Sequence, residues 1–217
     1  MSPWLYDLRD SQGAQAEGAD VATDAVFDPD PIQDAVLGPL VRVVEEAAGD
    51  HRWALIGAAA CRLQGVSGIL SPNLEFMTAE PALYTLGEML DLTSEWGRGT
   101  NLAAQRLHFM RGRVPIFVFG NPVFHGRYDS LVSMEIPSLW DARTLIEIPG
   151  GHVLVTPLEW ELLLAVVLEF APRLEVLRRH LRTAGFDNRL LTRLVREGHV
   201  ASATEEAVWQ HLEAEDE

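Results

Sequence analysis

No lysine occurs anywhere in this chain. All 17 of its basic residues are arginine, set against 32 acids for a net charge of −15. That average repels dense phosphate and disfavours general nucleic-acid binding. Cysteine is nearly absent as well. Cys61 stands alone, so no internal disulfide can form, and a reducing, cytoplasmic setting is the natural expectation. Long apolar runs are missing: the stretch 162–170 is broken by Glu169 and is too short for a membrane span. The N-terminus lacks the basic, apolar, small-residue order of a signal peptide. None of the seven histidines pairs with another at a spacing that would place two metal ligands on one helical turn. Gly65-Val66-Ser67-Gly68 falls one residue short of a nucleophile elbow. Pro149-Gly150-Gly151 leads into a strand rather than a helix, so it reads as a turn and not as a phosphate loop.

What is present suffices for a full core. The chain has 217 residues, 47% of them apolar, which fits one domain with a helical appendage. Residues 1–30 read as an acidic, flexible N-terminal segment, in which Trp4, Leu5, Tyr6 and Leu8 form an apolar exception that docks either on the domain or on a partner. Residues 31–156 read as an α/β core, and residues 157–217 as a helical C-terminal region packed on it. Asp30-Pro31 opens a first helix, Pro39 within it predicts a kink, and Gly49 stops it. Trp53–Ile56 reads as a buried strand, Ala58–Gln64 as a small-residue helix, Asn73–Thr78 as a second strand and Pro81–Leu92 as a helix. Gln105–Arg111 and Val114–Phe119 read as a hairpin that Asn121-Pro122 breaks. From Val123 to Asp141 the pattern is silent. Thr144–Ile148 and His152–Val155 suggest two strands around a turn. Trp160–Phe170 is apolar nearly all round and predicts a buried helix. Helices over Pro172–Thr183 and Asn188–Glu197 follow, the latter capped by Asp187, and Ser202 with Glu205 matches a capping box opening the last one. Mixed elements of this kind predict an α/β (α+β) fold with helices flanking a mixed sheet.

The chemistry-bearing part of the chain is Ile56-Gly57-Ala58, followed after the small-residue helix by Asn73-Leu74-Glu75-Phe76. In a strand, residues i and i+2 face the same way. Two acids so placed hold Mg²⁺, a hard cation that takes carboxylate and phosphate oxygens, and a pair of such ions clamps the attacking and leaving oxygens of a displacement. Asn73 offers a neutral carbonyl where the first acid would stand.

This arrangement resembles the nucleotidyltransferase superfamily with a degenerate active-site motif, in particular the antitoxin-type nucleotidyltransferase-like proteins of abortive-infection systems. The likeness covers about residues 34–200. Ile56 and Gly57 match the motif, Ala58 stands where Gly or Ser is usual, and Leu74, Glu75 and Phe76 match its second half with Asn73 in the acid's place. The resemblance implies a nucleotidyltransferase-like mixed sheet flanked by helices, phosphate approach at Gly57 and Ala58, and metal binding at Glu75, with Asn73 and Glu75 as the vestigial catalytic pair. It also implies a third carboxylate on a following strand, but Arg113–Gly120 contains none. Active relatives often place a Lys on the helix after a Thr-Pro turn, and the helix after Thr156-Pro157 has none.

Three readings follow. The first is a catalytically depleted protein with a binding or regulatory role, antitoxin-like, without a cofactor, whose vestigial cleft takes a nucleotide-like ligand. The second is a divergent active enzyme in which Mg²⁺ is held by Asn73, Glu75 and a further acid, for which Glu80, Asp129, Glu135 and Glu147 are candidates. The third is an acidic module that binds a protein partner, with Trp4, Trp96 or Trp140 as interface anchors. Glu75 also has a simpler role open to it, as a strand-end acid paired with Arg62 or Arg106. The arginines at 178, 179, 182, 189, 193 and 196 serve either as a solvated face or as a phosphate contact. Cys61 reads as a buried packing residue.

Overall fold

The structure is a computed structural model that describes residues 31–213. The segment 1–30, with Trp4 and the Asp30 cap, lies outside the described residues. Helix α1 spans Pro31–Ala48 with Pro39 inside it. It ends before Gly49, whose φ of +52° lies in the left-handed region. Strand β1 (Trp53–Ile56), helix α2 (Gly57–Leu63), strand β2 (Leu74–Thr78) and helix α3 (Glu80–Leu90) follow, close to the expected bounds.

The next three strands depart from the sequence reading. A short edge strand β3, Glu95–Arg98, was not anticipated. Strand β4 covers Leu102–Arg111, and β5 runs from Val114 through to His125, past the expected break at Asn121-Pro122. The reason is a bulge. Ala103 pairs with Val123 and Gln105 with Gly120, so Asn121 and Pro122 together oppose the single residue Ala104. Asn121 takes φ of +47°, a conformation asparagine tolerates, and Pro122 sits where no ladder N–H is required. The silent stretch then holds β6 (Ser130–Val132), a 3-10 turn at Ser133–Glu135 and the short helix α4 (Pro137–Asp141).

Strands β7 (Thr144–Ile148) and β8 (Gly151–Val155) pair antiparallel around the expected turn, with Gly150 at φ of +87°. Helices α5 (Leu158–Val167), α6 (Ala171–Ala184), α7 (Asn188–Glu197) and α8 (Ser202–Glu213) complete the described chain. Asp187 caps α7 as expected, accepting from the Arg189 and Leu190 amides at 2.9 and 3.0 Å. At α8 the expected capping box gives way to a distant carboxylate. Ser202 lies inside the helix, and Asp129 takes the Ala201 N–H and the Thr204 hydroxyl.

The sheet order is β3-β4-β5-β2-β1-β8-β7, with β6 on β5. It is mixed: β1–β2 and β4–β5 are antiparallel, while β2–β5 and β1–β8 are parallel. Alternation along the strands splits the core in two. Leu55, Leu74, Phe76, Ile116 and Val118 face α1 and α3. Ala54, Ile56, Met77 and Phe119 face α5 and the C-terminal helices. Helix α5 is buried on nearly every side because it lies between the sheet and α6, α7 and α8. Trp160, Leu162 and Leu163 are fully buried there, each worth about 1.5–3 kcal/mol by area removed from water. Among the described residues no helix is long and apolar enough to cross a membrane.

Candidate functional site

Strand β1 delivers Gly57 to the sheet face that carries α5. Gly57 has φ of +72°, where a Cβ meets the backbone and glycine does not. A Cβ at this position would also stand 2.5 Å from Glu75 Oε2. Two separate constraints therefore require glycine here. Ala58, the second expected phosphate contact, is buried in the first turn of α2 at 6% exposure.

Glu75 is the second residue of β2, opposite Ile56 on one side and Phe117 on the other. Asn73 lies just ahead of the strand and donates from Nδ2 to Glu75 Oε1 at 3.2 Å. The sequence pair is thus brought together, with the amide serving its neighbour. In the parallel partner β5 the residue level with Glu75 is Phe117, and level with that on β4 is His108. The two rings stack at 4.4 Å and 13°. An aromatic pair therefore occupies the strand positions beside Glu75, where the resemblance implied a third acid.

None of the four candidate acids fills that role. Glu80 accepts from the Tyr84 hydroxyl and from Asn121 Nδ2 at the start of α3. Asp129 caps α8. Glu135 and Glu147 are exposed, the latter on β7 level with His152. The acid that does approach is Glu161 of α5, which the sequence reading missed. It is fully buried. Its Oε1 accepts from the Gly57 amide at 3.0 Å and from the Thr156 hydroxyl at 2.6 Å. Its Oε2 has no hydrogen bond and lies 3.8 Å from Arg173 Nη1. A signal was available: a glutamate inside an otherwise apolar helix must be buried with partners or not be there at all. Glu159, two residues earlier, points elsewhere and accepts the Asp187 amide at 2.7 Å.

Arg173, on the first turn of α6, is the arginine beside Glu75, rather than the expected Arg62 or Arg106; Arg106 pairs with Glu95 at 2.7 Å. Arg173 is only 13% exposed and lies over the Phe170 ring at 5.0 Å. Burial pushes the Glu75 carboxyl above its ordinary range. Arg173 opposes that shift, the Glu161 charge adds to it, and the Asn73 hydrogen bond opposes it. Burial, reinforced by the Glu161 charge, pushes the Cys61 thiol well up, which leaves it a poor nucleophile and suits its packing role.

The donors here do not fit a divalent ion. Asn73 supplies only a neutral carbonyl, its Nδ2 donating to Glu75, Glu161 Oε1 already accepts from two protein donors, and the Arg173 cation borders both acids. Among the described residues no group of three or more His, Cys, Asp or Glu side chains is placed to hold a metal. A concavity of ≈430 Å³, lined by Tyr84, Glu88, Asp91 and Leu92 among others, contains none of these residues.

No family model and no curated protein matches this sequence. Solved structures do. A protein from Thermotoga maritima assigned as a nucleotidyltransferase superposes with a TM-score of 0.50 at 14% identity, covering 67% of this chain and 92% of that one. The antibiotic-resistance factor ANT(2'')-Ia gives 0.47 at 11% identity, with 82% and 97% covered. An antigenic nucleotidyltransferase-like protein from Paracoccidioides brasiliensis gives 0.42 at 14%, with 81% and 91% covered. The chain has a nucleotidyltransferase-like fold: a mixed α/β sheet flanked by helices, as the motif resemblance implied.

Proposed function

We propose that this protein keeps the nucleotidyltransferase-like scaffold without metal-dependent nucleotide transfer, and that it serves as a binding or regulatory protein of antitoxin-like type. The observation that carries this reading is the makeup of the strands around Glu75. Asn73 stands in the first acid's place and bonds Glu75, and Phe117 stands level with Glu75 on the neighbouring parallel strand. Only one acid stands on these strands, and the Arg173 cation lies beside it and beside Glu161, so the negative charge that would attract Mg²⁺ is already offset. A nucleotide-like ligand would then be held by shape and hydrogen bonds rather than through an ion. Isothermal titration with Mg²⁺–ATP, run alongside a turnover assay, tests the claim. No metal-dependent binding and no turnover is the expected result. Tight metal-dependent binding with nucleotide consumption refutes it. Co-purification from the native host tests the regulatory role.

One observation favours the rival reading of a divergent enzyme. Glu161 is a buried acid next to Glu75 that the strands do not supply. That reading requires Arg173 to withdraw before an ion can enter. The protein-interaction reading gains less. Trp96 is 64% exposed on β3, but Trp140 is buried between Arg52 and Arg143, so the two form no common patch.

A further inference from the structure

Two carboxylates packed side by side with little access to water, one fully buried and one half-buried, repel each other unless a positive charge stands near both. Glu161 and Glu75 form such a pair. Glu161 is fully buried with an oxygen that makes no hydrogen bond, and Glu75 lies within its field. Gly57 fits between them, its amide on Glu161 Oε1 and its missing Cβ leaving room for Glu75 Oε2. The cation at this point is the Arg173 guanidinium. Its Nη1 lies 3.8 Å from Glu161 Oε2 and 3.7 Å from the Gly57 Cβ position, which is itself 2.5 Å from Glu75 Oε2. At 3.8 Å the contact with Glu161 is a charge contact and not a hydrogen bond. The Phe170 ring holds the guanidinium from behind.

From this geometry we propose that Arg173 is a tethered counter-cation, standing in the place that a divalent ion would otherwise take between Glu75 and Glu161. The inference rests on the metal-free reading above and deepens it, because the site is then filled and not merely short of ligands. Helix α6 supplies in cis the charge that a soluble ion would supply in a functioning metal site. An ion entering beside Arg173 would meet a like charge in a poorly solvated space. With Arg173 neutralised, Glu75, Glu161 Oε2 and the Asn73 side chain, its amide turned over, present a set of oxygens that suits Mn²⁺ or Mg²⁺.

Titration of the full-length chain with Mn²⁺, followed by the loss of the free-ion electron paramagnetic resonance signal, tests this. Wild type and Arg173→Lys take up no ion in the low-millimolar range. Arg173→Gln takes up one ion per chain, at least about tenfold tighter than wild type, and loses it in the double variant Arg173→Gln/Glu161→Gln. If Arg173→Gln folds cooperatively yet takes up no Mn²⁺, the counter-cation inference fails while the metal-free reading stands. If wild type itself takes up Mn²⁺ in a manner abolished by Glu75→Gln, both fail. If Arg173→Gln does not fold alone, millimolar Mn²⁺ or guanidinium restores its melting transition where sodium does not. Absence of that rescue overturns the inference.

Discussion

Removal of the Glu161 carboxylate is the perturbation to which this fold is most exposed. Glu161→Ala strips partners from three groups at once: the Gly57 amide at 3.0 Å, the Thr156 hydroxyl at 2.6 Å and the Arg173 guanidinium at 3.8 Å. A hydrogen bond to a charged group contributes about 1.5–3 kcal/mol, and breaking a buried ion pair from one side costs about 3–5 kcal/mol. These losses overlap and do not add, so the expected destabilisation is about 3–5 kcal/mol. At about 2–4 °C per kcal/mol for a chain of this size, the melting temperature falls by about 6–20 °C. Glu161→Gln keeps the shape and one acceptor oxygen and loses only the charge, so it costs about 1–3 kcal/mol. Urea unfolding of both variants, with Arg173→Gln and the double variant closing the cycle, measures each value. Glu161→Ala within about 1 kcal/mol of wild type would show that the buried carboxylate does not organise this site.

Gly57→Ala forces a side chain into the left-handed region and against Glu75 Oε2. The backbone alone costs about 1–2 kcal/mol, and thermal denaturation reads the total. Glu75→Gln tests the electrostatics. Because burial raises the Glu75 carboxyl in the folded state, the native protein binds more protons than the unfolded chain, and wild-type stability falls as pH rises from the ordinary carboxylate range through the raised value. The stability advantage of Glu75→Gln over wild type therefore grows across that window and is flat on either side. A difference independent of pH refutes the assignment. Asp129→Ala removes the acceptor for the Ala201 amide and the Thr204 hydroxyl and costs about 1–2 kcal/mol, as loss of a helix cap does, with faster amide exchange confined to the first turn of α8.

The fold was legible in the sequence wherever periodicity and turn chemistry agreed. Trp53–Ile56 and Asn188–Glu197 emerge with the bounds read from sequence, because a four-residue apolar run between turns and an Asp187 cap leave no competing structure. Strand β5 was cut short because Asn121-Pro122 normally ends a ladder, and only a partner strand one residue shorter allows it to continue. Strand β3 was missed because it is exposed and polar, carrying no alternation to detect. At the site, Asn73 and Glu75 were legible because i, i+2 strand spacing puts them on one face, and Gly57 because a strand-to-helix turn calls for glycine. Glu161 and Arg173 were not. Neither lies within 80 residues of Glu75 in sequence, and only the docking of α5 and α6 on the sheet brings them near. In the helix after Thr156-Pro157, Glu161 carries more information about the site than the absence of a lysine does.

Strand β1 lies near the centre of the sheet, and one of its flanks is β8, joined through Leu55 and Val155. A nascent chain released as far as β6 has its opening strands ready but leaves that flank bare, and the apolar face meant for α5 is wet. Pairing across such a span pays its loop-closure entropy before any reward, which makes assembly slow. Glu75 gains Glu161 and Arg173 as neighbours only after α5 and α6, far along the chain, have been made and have docked on the sheet.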